Sequence, residues 1–148
     1  MSFFTDRGFD INGFILTPNT STEEFKDLGN RVTVEPSLKD KDETHIIFNE
    51  QLIDNGMRFR VEVYKFNSIS PDYIKIVPFK INDNETGEQL YERCRKWLET
   101  VFNKEVPDNE FGSINFSVGD FITCLWKQTR ENGTKKCRSI RIYTRSVA

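Results

Sequence analysis

The chain offers few side chains that could do covalent chemistry. His45 is its one histidine. The three cysteines, Cys94, Cys124 and Cys137, are too far apart for a zinc or dithiol pattern. Without a second His or Cys at ligand spacing, His45 reads as a packed or solvated strand residue rather than a metal ligand or catalytic base. The acids Asp40, Asp42 and Glu43 lack the spacing and the closing Glu of a calcium loop and read as a solvated loop. No Gly-x-Ser-x-Gly elbow and no phosphate-cradling glycine loop occurs. Any two carboxylates can meet in space, but nothing in the sequence marks out a pair for glycoside chemistry. The expectation is a protein that binds rather than catalyses, with no metal and no cofactor.

Binding chemistry is more visible. Residues 127–145 hold seven cations, Lys127, Arg130, Lys135, Lys136, Arg138, Arg141 and Arg145, and one acid, Glu131. That segment carries +6, so in a chain of net charge -2 the remainder carries -8. Trp126 and Tyr143 lie among these cations. Arg beside large aromatics is the usual chemistry of a binding anchor, and a basic patch on an acidic body can dock an acidic partner. The candidate partner-binding residues are therefore Trp126, Lys127, Arg130, Lys135, Lys136, Arg138, Arg141 and Tyr143. The same set could stack and neutralise single-stranded nucleic acid. It could also simply protect an edge hairpin from aggregation. Because the charges alternate along the strand, they form no single compact stripe.

These residues need elements to hold them. Phe9–Leu16 alternates as one strand, ended by Thr17-Pro18-Asn19. A short helix follows over Thr20–Gly29, with Ser21/Glu24 or Thr20/Glu23 as its capping box and Gly29 past its end. Arg31–Glu35 reads as a strand stopped at Pro36, Ser37–Glu43 as a charged loop, and Thr44–Asn49 as a strand. Asp54-Asn55-Gly56 is a hairpin-type turn. Beyond it Met57–Phe66 alternates cleanly, with Met57, Phe59, Val61 and Val63 on one face and Arg58, Arg60, Glu62 and Tyr64 on the other. Ser68–Pro71 breaks this strand, and Asp72–Ile81 forms the next, with Pro78 placing it near an edge.

The clearest element is a helix over Glu88–Asn103. Thr86 and Gln89 cap it, and Leu90, Tyr91, Cys94, Trp97, Leu98, Val101 and Phe102 make one apolar stripe suited to covering a sheet. Three strands close the chain, Phe111–Val118, Phe121–Gln128 and Lys135–Thr144, the last two joined around Asn132-Gly133. The thirteen Phe support a packed core, with Phe9, Phe25, Phe48, Phe59, Phe102, Phe111 and Phe121 all falling in these elements. The expected class is α+β: an antiparallel sheet with two helices on one face, in a single domain spanning 1–148. The similar hairpin turns Ile53–Met57 and Arg130–Thr134 raise the reading of two β-α-β-β-β halves, 9–66 and 72–144.

The N-terminus lacks the basic and apolar regions of a secretory signal, and no apolar run is long enough to span a bilayer. A cytoplasmic protein with reduced thiols is expected, although Cys124 and Cys137 stand where a hairpin could bring them together. The Asn-X-Ser/Thr sequons at Asn19, Asn84, Asn115 and Asn132 have no use without a secretory route.

Two stretches together carry a resemblance. One is Phe9–Gly29, a strand followed by a Ser/Thr-capped helix. The other runs from Trp97-Leu98-Glu99 through Phe111-Gly112-Ser113-Ile114 to Ile140-Arg141-Ile142-Tyr143. This pattern resembles small uncharacterised bacterial α+β proteins whose tandem layout is similar to that of the β-lactamase inhibitor protein, and some of which look like toxin immunity proteins. The resemblance implies a non-enzymatic, cytoplasmic protein-binding module that neutralises a toxin domain. It assigns no functional residue, because immunity surfaces differ from one toxin to the next. The alternative is a nucleic-acid-associated protein that uses the basic C-terminal hairpin.

Overall fold

The structure is a computed structural model, and it describes residues 4–5, 8–17, 19–36, 43–66, 73–106, 112–118, 122–131, 134–136 and 140–144. After residue 106, side chains are described for Ile140, Arg141 and Ile142 alone. Phe111, Phe121, Cys137, Arg138 and Arg145 lie outside the described residues, as do the charged loop after Pro36 and the tips at Gly119-Asp120 and Asn132-Gly133.

The first expected strand is in fact a hairpin. β1 (Phe9–Ile11) turns back onto β2 (Phe14–Leu16), pairing Phe9 with Leu16 and Ile11 with Phe14. Asn12 and Gly13 both take positive φ, 50° and 95°, and the Gly13 N–H donates to Asp10 Oδ1 at 2.7 Å. Asn-Gly is a strong two-residue hairpin signal, and here it overrides an apolar alternation that continues across it. α1 (Thr22–Lys26) follows, and of the two candidate capping boxes Ser21/Glu24 is the one formed. The Thr20 hydroxyl instead accepts from the Thr17 N–H at 2.9 Å. Phe25 is buried and packs on Phe14 and Phe48. Gly29, at φ +61°, opens a 3-10 turn over Gly29–Arg31 that leads into the main sheet.

That sheet is antiparallel throughout. It contains β3 (Val32–Pro36), β4 (Glu43–Phe48), β5 (Leu52–Asp54), β6 (Met57–Phe66) and β7 (Tyr73–Pro78). After α2 (Gly87–Phe102) it adds β8 (Gly112–Val118), β9 (Ile122–Glu131), β10 (Thr134–Lys136) and β11 (Ile140–Thr144). The order is β10-β9-β11-β7-β6-β4-β3, with β5 also on β6 and β8 also on β9. The joint between the early and late strands is β11 on β7, pairing Ile142 with Ile74 and Ile140 with Ile76. The hairpin β1–β2 and the strand β5 give the first half more strands than a single β-α-β-β-β unit.

Pro78 does not mark an edge strand. β7 is flanked by β6 and β11, and the described pairing with β11 runs from Tyr73 to Ile76. The Phe79 N–H points to β6, donating to Arg58 O at 2.9 Å. The nitrogen of Pro78 therefore faces the β11 side, beyond the last pair among the described residues.

Both helices lie on one face of the sheet, and one hydrophobic core fills the space beneath them. Phe59, Val61, Val63, Ile74, Ile76, Ile140 and Ile142 point inward and are buried. From α2 they meet Tyr91, Cys94, Trp97 and Leu98, and from the N-terminal segment Phe9, Ile11, Leu16 and Phe25. Trp97 packs on Phe59 with ring centroids 4.7 Å apart, and its Nε1–H donates to Asp54 Oδ2 at 2.9 Å. Asp54 is buried at the end of β5, just before the turn formed by Asn55 (φ 48°) and Gly56 (φ 79°). One bond thus ties the middle of α2 to the β5–β6 hairpin. Trp97→Phe would keep most of the packing and leave the Asp54 carboxylate without this donor. The expected loss is about 1–3 kcal/mol in urea unfolding. An unchanged unfolding midpoint would show that the bond does not anchor the helix.

Candidate docking face on the outer side of the sheet

Strand alternation sends every second residue away from the helices. On β6 these are Arg58, Arg60, Glu62 and Tyr64. Register then decides what stands beside them. His45 of β4 and Tyr73 of β7 both pair with Tyr64, so three aromatic rings lie in a row across three adjacent strands. Glu35 of β3 continues the row at one end, and the Tyr143 position of β11 at the other. The neighbouring row runs Ile47, Glu62, Lys75, Arg141 and Leu125.

The rings are stacked. His45 and Tyr64 have centroids 4.4 Å apart and planes within 14°; for Tyr64 and Tyr73 the values are 4.6 Å and 10°. These separations match the roughly 4.8 Å between neighbouring strands. The stack therefore runs across the strands, with the rings upright on the sheet and their edges outward. The guanidinium of Arg141 sits 5.6 Å from the Tyr73 centroid and approaches from the β11 side, away from Tyr64. Ring faces are thus occupied by neighbours, and ring edges and charged groups form the surface.

Glu62 belongs to this outer face yet is buried, with 7% of the residue exposed. A buried carboxylate requires compensation. Arg60 Nη2 donates to its Oε1 at 3.1 Å. His45 Nε2 lies 3.3 Å from the same oxygen but is not aligned for a hydrogen bond, and that nitrogen is itself shielded from solvent. The contact is thus one of proximity, and His45 is held mainly by its stacking. Arg60 and Arg141 are exposed, while Tyr64, Tyr73 and Lys75 are half-buried.

The sequence-chosen residues do not all join this face. Arg141 is exposed on it, and the Tyr143 position pairs with Tyr73. Trp126 lies on β9 opposite Ile140 and Ile114, and Lys127 is opposite Ser113 on the edge strand β8. Arg130 pairs with Lys135 and Thr129 with Lys136 at the far end of β9, where β10 comes against α2. Arg138 lies outside the described residues. The residues that sequence reading passed over are His45, Tyr64, Tyr73, Lys75 and Arg60. Reflecting the chain about the centre of the Ser68–Pro71 break pairs Tyr64 with Lys75, two residues from its observed partner Tyr73, so it places these residues on one face but not in their true row.

A second feature is an open concavity of about 860 Å³ at the start of α2, lined by Ile81, Asn84, Glu85, Glu88, Gln89 and Arg93 among others. The Arg93 fork donates to both oxygens of Glu85, at 2.6 and 2.7 Å, and also to Phe79 O and Met57 Sδ. The Ile81 N–H donates to Glu85 as well. The Arg93 hydrogen bonds hold the Glu85 carboxyl below its ordinary range, against the opposing effect of burial. The same pairing raises Arg93. Both groups of the pair are spent on each other, which makes this a structural clamp between α2 and the end of β7.

Among the described residues no three His, Cys, Asp or Glu side chains cluster to hold a metal ion. No helix among them is long and apolar enough to cross a membrane. Comparison with protein families, curated proteins and solved structures finds no match.

The clamp has a pH signature. A carboxyl held low in the folded state adds stability above its unfolded pKa, and that stability is lost as pH falls through the lower folded value. Glu85→Gln is therefore expected to be less stable than the parent at neutral pH and to lose less on acidification. Urea midpoints followed from neutral pH to about pH 3 measure this; parallel pH profiles would contradict it.

Proposed function

We propose that the chain is a non-enzymatic protein-binding module that docks its partner on the outer face of the sheet. The observation that carries this reading is the upright stack of His45, Tyr64 and Tyr73 beside the exposed Arg60 and Arg141, on the side of the sheet opposite both helices. Tyr and Arg are the residues most often responsible for binding energy at protein interfaces. Here they stand on strands rather than on loops, so little ordering is needed on association. The resemblance to toxin immunity proteins supplies the partner class, a bacterial toxin domain whose working surface this face would cover.

The stack also bears on nucleic-acid binding. Single-strand binders offer open ring faces on which bases stack. Here Tyr64 lies between His45 and Tyr73, and Arg141 stands over Tyr73. Glu35, exposed at one end of the row, repels phosphate. These points favour a protein partner.

A toxin gene next to this one is the expected source of the partner, and calorimetry with that toxin tests the proposal. A complex is expected, and Tyr64→Ala with Tyr73→Ala should weaken it by about thirtyfold or more, as for loss of a central anchor. Thermal unfolding of the variant checks that the sheet persists. No complex with the parent protein, or full affinity in a folded variant, contradicts the reading.

A further inference from the structure

The chemistry of the docking face is more specific than the presence of aromatics, and its charge arrangement points to the kind of surface it meets. On β3, β4, β6, β7 and β11 the charged positions of this face are Arg58, Arg60, Lys75 and Arg141 against Glu35, Glu43 and Glu62, and Lys127 of β9 takes the same face two residues from Leu125. Glu62 is buried and bound by Arg60, so it presents little negative charge outward. Arg58 is turned to the Lys80 carbonyl at 2.9 Å. On β6, β7 and β11, Arg60, Lys75 and Arg141 remain as the outward charge, in a chain whose total is -2.

Lys75 and Arg141 are directly opposite each other on neighbouring strands. Like charges in that position destabilise a sheet. On its other side Lys75 is opposite Glu62, yet no ion pair joins them, because the Glu62 carboxylate is engaged by Arg60. Among the described residues no carboxylate within ion-pair distance meets Lys75 or Arg141. Two neighbouring cations beside a Tyr stack, without an ion-pair partner among the described residues, are arranged to receive carboxylates from outside.

Resting on the docking reading above, we infer that the partner presents an acidic protein surface, whose carboxylates bridge Lys75 and Arg141 while its apolar groups meet the edges of Tyr64 and Tyr73. Such a pairing steers encounter and weakens with salt.

The test uses the full chain labelled for amide NMR, titrated at low salt with a soluble polyglutamate peptide and, separately, with an oligodeoxythymidine of equal charge. Polyglutamate is expected to shift the amides of Arg60, Lys75 and Arg141 with those of Tyr64 and Tyr73. A Lys75→Glu, Arg141→Glu variant should weaken that response about tenfold or more. Silence on the outer face, shifts confined to residues 127–136, or a stronger response there to the oligonucleotide would each overturn the inference. The charge claim fails separately from the docking reading if the toxin complex is weakened by Tyr64→Ala and Tyr73→Ala but unaffected by the double charge reversal and by salt.

Discussion

The outer face of the sheet owes its character to where α2 is pinned. Its apolar stripe covers the inner face of the sheet, Trp97 packs on Phe59, and the indole N–H is bound to the buried Asp54 carboxylate. Arg93 adds a second anchor one turn earlier, holding Glu85 in its fork and reaching the Phe79 carbonyl. Both anchors bind the same helix to the hairpin of β5 and β6 and to the end of β7. Because α1 lies on the same face, most of the large apolar residues of the central strands are satisfied on one side, Ile47 and Val77 being exceptions. The other side must be compatible with water, and the strand alternation supplies it with Arg, Glu, Lys, His and Tyr.

The outer face is ordered by a different set of forces. Stacking of upright rings and one buried carboxylate hold it together. Glu62 would be costly to bury alone, and Arg60 offsets that cost from the same strand. The arrangement leaves Lys75 and Arg141 adjacent and without a carboxylate partner among the described residues. A surface selected for stability alone would place opposite charges there, since cross-strand ion pairs are favourable and like pairs are not. The proposed docking on an acidic surface rests on this departure from that rule.

The sequence made some of this legible and concealed the rest for physical reasons. The α2 stripe, its Thr86/Gln89 cap and the alternation of β6 are local patterns, and the structure follows them closely. The Asn12-Gly13 turn was hidden because Phe9, Ile11 and Ile15 keep alternating through it. β5 escaped because three residues carry too little pattern to be read. Phe4 and Phe14, which pack on Phe9, Phe102 and Phe25, stood outside any strong periodicity. The basic run after Lys127 was plain in composition, but its distribution was not. Only the long-range register of β11 on β7 brings Arg141 to Lys75 and Tyr73 while β10 ends beside α2. The aromatic row depends on three strands drawn from both halves of the chain, and such pairings are set by the core rather than by local propensity.

Hydroxyl-radical footprinting of the protein alone and in complex with its partner addresses the central claim most directly. Tyr64 and Tyr73 are half-buried and open to oxidation in the free protein, whereas Tyr91 is buried in the core and serves as an internal reference. The account predicts that Tyr64 and Tyr73 become protected on binding while Tyr91 stays unmodified in both states. Unchanged labelling of Tyr64 and Tyr73 in a saturated complex would place the partner elsewhere and contradict it.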